Sequence, residues 1–484
     1  MTILYDAIII GNDLSSLIAA EVSSRHGLKT LLLKEGNLPN VYAQSGYTFN
    51  IDPLPWSGIG PSNLSMHSYL EKDFFQMSRA SLKLLNPGLQ IVLPDHRVEI
   101  YHEKERLVRD LEREFAGSAA RIAEVYETAL TAGILFSRYV LENPDLCLNN
   151  IRKALHFFKH LASLCKQNYR FLKKMRCMSE DSLHRLFEAL VFLFSGSNYS
   201  AGSTLFTIPY FLCLPLHGLS YPLGGKHLIL ASIEDRFFSQ GGSLVTAPTI
   251  RSVETKTGKF EIEWDTGGDI RRASGKHLVV SAKWKNIRLL EDKRLAKLVK
   301  RMQRRWEKIL YPFTLHMGVL DKGIPEKMAE YAILLSSESP SEVQRSVFIE
   351  LSGRGEPGRA PEGKRTLSAT IFIEAPPSSH SDEDLRGVAS GILHQLECLL
   401  PFISENIEFM DVEKCISLSR MCEDALNRKY RIRQKHFAGF PGLSINSNFK
   451  NVFLTGDEIF GLGFIGEIIS GVNSGNKVAG DRSK

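Results

Sequence analysis

Residues 4–10, Leu-Tyr-Asp-Ala-Ile-Ile-Ile, form an apolar run rich in β-branched residues. That pattern predicts a strand buried on both faces. Gly11-Asn12-Asp13 reads as a turn, and Leu14 to His26 as a helix ended by Gly27. Lys29 to Lys34 predicts a second strand, closing on Glu35, so the chain opens with a βαβ unit. From about 64 to 215 the pattern is mostly helical, with apolar residues at three- and four-residue spacing in Leu107–Leu141 and Ile151–Met178. Strand character returns at Ser243–Thr246, Phe260–Trp264 and His277–Ser281. A basic helix is expected over Leu290–Ile309, then strands near Thr314–Val319, Ala332–Leu335, Ser346–Leu351 and Ser368–Ile373. Arg354–Lys364, with three glycines and two prolines, reads as an exposed loop. Asp382–Leu400 predicts a helix capped by Ser381 or Asp382. The chain closes with a strand at Val452-Phe453-Leu454, a glycine-rich turn and a last helix.

The 484 residues predict about two to three domains. A hydrophobic fraction of 43%, a charged fraction of 24% and a net charge of +6 are ordinary globular values. They exclude wholesale disorder, collagen and a coiled-coil rod, and give no argument for nucleic acid. The seven cysteines are odd in number and no pair has C-x-x-C spacing. A disulfide framework or zinc site is therefore not expected, and a reducing, cytoplasmic setting is. The N-terminus lacks the basic region and apolar core of a secretory signal. The charge-free stretch 189–225 is interrupted by polar residues, Pro209 and Pro215, and reads as buried or interfacial, not membrane-spanning.

Three segments carry candidate chemistry. A dinucleotide-binding βαβ unit uses G-x-G-x-x-G, and its phosphates sit on the helix N-terminus. In Gly11-Asn12-Asp13-Leu14-Ser15-Ser16 only the first glycine is present; Asp13 and Ser16 stand at the other two positions. Glu35 closes the second strand, where an acid accepts a ribose hydroxyl. The second segment is Tyr221-Pro222-Leu223-Gly224-Gly225-Lys226. The third is Gly456-Asp457, then Gly461-Leu462-Gly463-Phe464-Ile465-Gly466 and Ser470-Gly471. No Ser–His–Asp set and no metal-spaced cluster stands out, and His217 reads as a structural histidine.

In order and spacing these segments resemble the flavin-dependent amine oxidase and phytoene desaturase superfamily, in its phytoene dehydrogenase-like branch, with a degenerate N-terminal motif. The likeness also takes in Ile250-x-x-Val253 and Ala375-Pro376-Pro377 before a helix. It implies an α/β fold: a Rossmann-like FAD-binding domain interleaved with an α+β substrate domain. The first would comprise 1–63, 216–288 and 430–484, and the second 64–215 and 289–429. FAD is the cofactor implied. Gly11, Asp13, Leu14 and Ser15 would face its pyrophosphate, Glu35 the ribose, and the backbone near Ile250 the adenine. Gly456 and Asp457 would meet the ribityl or pyrophosphate region, and Gly463, Phe464, Ile465 and Gly466 the flavin ring. No catalytic residue is implied, because substrate placement over the ring does most of the work in such enzymes.

The resemblance implies an FAD-dependent desaturase, dehydrogenase or isomerase acting on an apolar, isoprenoid-like substrate. Phe192, Phe194, Phe206, Tyr210, Phe211 and Tyr221 would suit the wall of its tunnel, or equally plain core. The basic amphipathic stretch Ile151–Met178 reads as a solvated helix face, with peripheral membrane contact as the alternative. The chain departs from the family at three points: Asp13, the absence of Gly-Gly-Arg within 36–46, and Glu467 beside the last helix start. A carboxylate about 5 Å from a phosphate, at an effective dielectric near 20, costs on the order of 3 kcal/mol, about two decades in affinity. Asp13 could lower that cost by turning outward to water. The second reading is a cofactor-less lipid- or protein-binding relative on the same fold, like the Rab escort and GDP-dissociation-inhibitor proteins.

Overall fold

The computed structural model describes residues 3–57, 82–142, 181–195, 208–300, 306–335, 346–432 and 449–480, apart from a few positions inside these spans, together with Lys166 and Tyr169. Two sheets organise the chain. The first contains β1 (Ile3–Ile10), β2 (Thr30–Lys34), β3 (Ser243–Thr246), β4 (Thr249–Lys256), β5 (Lys259–Thr266), β6 (Asp269–Ser281) and β7 (Val452–Thr455). Its order is β4-β5-β6-β1-β2-β3, with β7 pairing β6. Strands β3, β2, β1, β6 and β7 are mutually parallel, with Ile8 beside Leu31 and Leu278, and Leu278 beside Val452. Ala7 to Ile10 are fully buried, as the apolar run required.

Helix α1 (Leu14–Arg25) follows β1; Ser15 to Ser24 are all buried. It is covered by α2 (Lys226–Ser239) and by α3 (Phe464–Gly480). The seam with α3 depends on glycine. A Cβ on Gly471 would lie 2.6 Å from the Ser15 carbonyl oxygen, and one on Gly475 would lie 2.7 Å from Val22 Cβ. Small residues let the two backbones approach, and because the helices follow the parallel strands β1 and β7 their N-termini lie at the same end of the sheet.

The second sheet has eight strands, in the order 407–410, 306–320, 364–373, 347–351, 331–334, 89–92 and 97–100, with 429–432 pairing 306–320. The helix Asp382–Leu399 packs on it through Leu385, Ala389, Ile392 and Leu396. Ser381 and Asp384 form the reciprocal capping box that starts this helix.

Two expectations are corrected. Residues 306–309, expected to extend the basic helix, begin the long strand Trp306–Leu320 instead. Alternating cross-strand partners, Trp306 to Ile432 and Lys308 to Tyr430, override the local charge run. Within 64–215 the described residues are mostly helical, as expected, with three short strands at Leu82–Leu84, Leu89–Val92 and Arg97–Ile100. Arg354–Lys364 is a loop, but not an exposed one throughout, because Glu356 and Arg359 are buried. Nearly all of the basic stretch 151–178 lies outside the described residues, as does Phe206. No described helix is long and apolar enough to cross a membrane.

Candidate dinucleotide site

The site is built around the N-terminus of α1, where β1 delivers the chain into a turn. A Cβ on Gly11 would fall 2.1 Å from Ser16 Oγ and 2.7 Å from Ser281 Cβ, so glycine is needed for the turn to pass. Asp13 is the N-cap. Its Oδ1 accepts from the Ser16 amide at 2.8 Å and from Ser16 Oγ at 2.9 Å, and also from Ser15 Oγ. Its Oδ2 accepts from Ser281 Oγ at the end of β6. The carboxylate therefore does not turn outward to water. Four donors converge on it at the point where a dinucleotide fold receives phosphate.

Glu35 ends β2 on the adjoining side. Its carboxylate accepts from the Ile250 amide at 3.2 Å and from Trp284 Nε1 at 2.7 Å. The Ile250 N–H is thus directed at Glu35. Asn12 Nδ2 donates to the Glu35 carbonyl, closing the turn against β2.

Asp457 lies beyond β7, in the short 3-10 turn that precedes α3. It is buried, and burial raises its carboxyl well above the usual range, with Glu458 adding to the rise. The Gly463 amide at the start of α3 donates to it. A Cβ on Gly466 would stand 2.6 Å from Asp457 Oδ1, so that glycine leaves room for the carboxyl. Gly456, at φ 132°, donates its amide to Ser470 Oγ at 3.0 Å, tying the end of β7 to α3. Glu467, one turn into α3, pairs with Lys283. Its carboxyl is also raised, chiefly by burial, with Lys283 opposing and Asp13 reinforcing the shift.

Two cavities meet at Asn12, Asp13 and Leu38. One, about 470 Å³, is also lined by Gly11, Glu35, Thr249, Ser281 and Trp284. The other, about 160 Å³, runs from Leu14 to Trp56, Lys226, Phe464 and Glu467. Trp56 stacks on Phe464 with ring centroids 4.6 Å apart. Lys226 Nζ lies 5.2 Å from the centre of the Trp56 ring and donates to the carbonyls of Asp52, at 2.6 Å, and Leu54. Burial lowers the Lys226 pKa.

Gly11, Asp13, Leu14, Glu35 and Phe464 thus line one or both cavities, whereas Ser15, Ile250, Gly456, Asp457, Gly463, Ile465 and Gly466 line neither. They frame the site from behind. Sequence reasoning missed Trp56, Ser281 and Trp284, and named Lys226 only as the end of the Gly224-Gly225 segment. Ser281 and Trp284 lie at and just beyond the His277–Ser281 strand, and Lys226 follows Gly224-Gly225, so position alone offered a signal for these three. Of the aromatic residues read as a tunnel wall or equally as core, Phe192 packs against Phe348 and Phe372, and Tyr210 against Phe136 and Phe211.

The groups at both ends would suit an extended FAD: Glu35 and Trp284 bring a carboxylate and an indole to the larger cavity, and Trp56, Phe464 and Lys226 an aromatic shelf and an ammonium to the smaller. The middle is where the chain departs, because Asp13 already caps the helix that would receive phosphate.

No family model matches the chain. Over 99% of its length it is 22% identical to the chloroplastic prolycopene isomerase of Arabidopsis thaliana, covering 83% of that protein. It is 23% identical to the Daucus carota enzyme of the same name, covering 80%. Among solved structures, a triple mutant of putrescine oxidase superposes with a TM-score of 0.61 at 11% identity, over 99% of this chain and all of the other. Cyclohexylamine oxidase from Brevibacterium oxydans gives 0.58 at 12%, again over 99% of this chain and all of the other. The chain thus shares the fold of these oxidases, and over nearly its whole length its sequence is similar, at low identity, to prolycopene isomerases.

Proposed function

We propose that the protein is an FAD-dependent oxidoreductase or isomerase acting on an apolar, isoprenoid-type substrate. The observation that carries this reading is the pair of cavities meeting across the N-terminus of α1, from Glu35 and Trp284 at one end to Trp56 and Phe464 at the other. Full-length likeness to prolycopene isomerases supports a polyene substrate and a redox-neutral isomerisation. Bound FAD would supply hydride or electron transfer at its ring. Glu35 would accept hydroxyl donors of the ribose, Trp56 and Phe464 would provide an apolar face that excludes water, and the Lys226 ammonium would offer positive charge beside them. The first sheet, with α1, α2 and α3, would form the cofactor domain, and the second sheet the greater part of the substrate domain.

The test is an absorbance spectrum of the purified protein before and after addition of FAD and removal of the excess. Flavin bands that stay with the protein support the reading. Incubating the loaded, reduced protein with prolycopene and separating the products by chromatography then tests the substrate. Protein that retains no flavin sinks the oxidoreductase reading.

The second reading, a cofactor-less lipid- or protein-binding relative, is favoured by one observation. The helices α1 and α3 each receive a carboxyl group of the chain itself at the N-terminus.

A further inference from the structure

We propose that Asp13 is a specificity-determining residue: its carboxylate is a built-in anion at the phosphate point of α1, so a pyrophosphate must displace it while a phosphate-free flavin need not. This rests on the flavin reading above and says how that site discriminates.

The argument is one of occupancy and charge. A phosphate at a helix N-terminus is held by amides and small hydroxyls. Here the Ser16 amide, Ser16 Oγ, Ser15 Oγ and Ser281 Oγ all donate to Asp13. Both carboxylate oxygens are engaged, so Asp13 takes up the donors as well as the charge. Lys283, whose amide donates to Ser281 Oγ at 3.1 Å, directs its ammonium to Glu467. Residues 36–46 contain no arginine that could offset a second anion. An incoming pyrophosphate therefore meets an occupied cap and a like charge. The two flanking cavities lie on either side of Asp13, so adenosine and flavin moieties can be received without disturbing it.

The experiment is equilibrium binding of FAD and of riboflavin, read by flavin fluorescence, to the parent protein, Asp13→Asn and Asp13→Gly. Asparagine caps helices as well as aspartate does, so Asp13→Asn removes the charge and keeps the cap. Circular dichroism checks that each variant is folded. The parent is expected to bind FAD within about tenfold of riboflavin. Asp13→Asn is expected to tighten FAD by roughly 10- to 100-fold, the range that removing one nearby like charge predicts. Riboflavin should change by less than about twofold. An FAD-to-riboflavin ratio that is the same in the parent and both folded variants overturns the inference and leaves the flavin reading standing. Absence of flavin binding in all three folded proteins overturns the reading, and the inference with it.

Discussion

The indole of Trp284 donates from Nε1 to the Glu35 carboxylate at 2.7 Å across 249 residues of sequence. This bond, with the one from the Ile250 amide, fixes Glu35 at the mouth of the larger cavity. Trp284→Phe keeps an aromatic ring, smaller than the indole, and deletes the donor. The loss of a hydrogen bond to a charged group predicts destabilisation of about 1–3 kcal/mol. Urea unfolding measures it; an unchanged midpoint would show that the bond contributes nothing.

The Arg359–Glu350 pair predicts a larger effect. Both side chains are almost wholly inaccessible, and Arg359 Nη2 donates to Glu350 Oε1 at 2.6 Å and to Thr366 Oγ1 at 3.2 Å. Asn50 Nδ2 reaches the same Glu350 oxygen at 2.6 Å. Arg359→Met leaves Glu350 buried without its cation, which costs about 3–5 kcal/mol. The double variant Arg359→Met/Glu350→Leu should recover part of that loss in the same unfolding assay. A double variant no more stable than the single one would argue that the site needs the charges and not merely their balance.

His316 supplies a pH dependence. Burial pushes its pKa down from the ordinary 6.5 to about 3. The unfolded chain therefore binds the proton that the folded chain refuses, and stability falls as the pH drops below about 6.5. By pH 5 the penalty is about 2 kcal/mol. Buried carboxyls raised above their usual range, Glu350 and Glu467 among them, act in the opposite sense. Their contribution is present at low pH and is lost as pH rises through the folded value. Comparing the parent with His316→Gln isolates the histidine: the gap in unfolding free energy should shift by about 2 kcal/mol between pH 7 and pH 5. A constant gap would count against a neutral buried imidazole.

Lys226→Met tests the shelf at the other cavity. The variant removes the donor to the Asp52 and Leu54 carbonyls and the cation beside Trp56. Stability should fall by about 1–3 kcal/mol, and tryptophan fluorescence should shift to the red as the 50–56 segment loosens. Unchanged fluorescence would mean that Trp56 is held by Phe464 alone.

The local frame of the site was legible in the sequence because its signals are local. An apolar run, a glycine turn, an acid closing the second strand and a glycine-rich start to the last helix each sit within a few residues, and β1, α1, β2 and α3 form where those signals lie. The cap at Ser381, one of the two candidates for that helix, was legible for the same reason, though its reciprocal bond with Asp384 was not named. Long-range partners were not. Nothing near Arg359 announces Glu350 or Asn50, so a loop rich in glycine and proline reads as exposed although its arginine is buried. Trp306–Ile309 carried helical composition, and only pairing with Lys429–Ile432 makes it strand. Asp13 was visible as a departure, but its direction was not, because Ser281 lies 268 residues away.

The seam between α1 and α3 bears on the order of events during synthesis. Gly471 and Gly475 lie far along the chain from α1, yet their missing side chains are what admits Ser15, Ile18 and Val22. Until α3 has left the ribosome, α1 presents an uncovered apolar flank and the cleft beside Asp13 lacks the wall formed by Phe464 and Glu467. The nascent chain thus has no complete pocket to load, and it has an exposed face for a chaperone to hold, until α3 has been made.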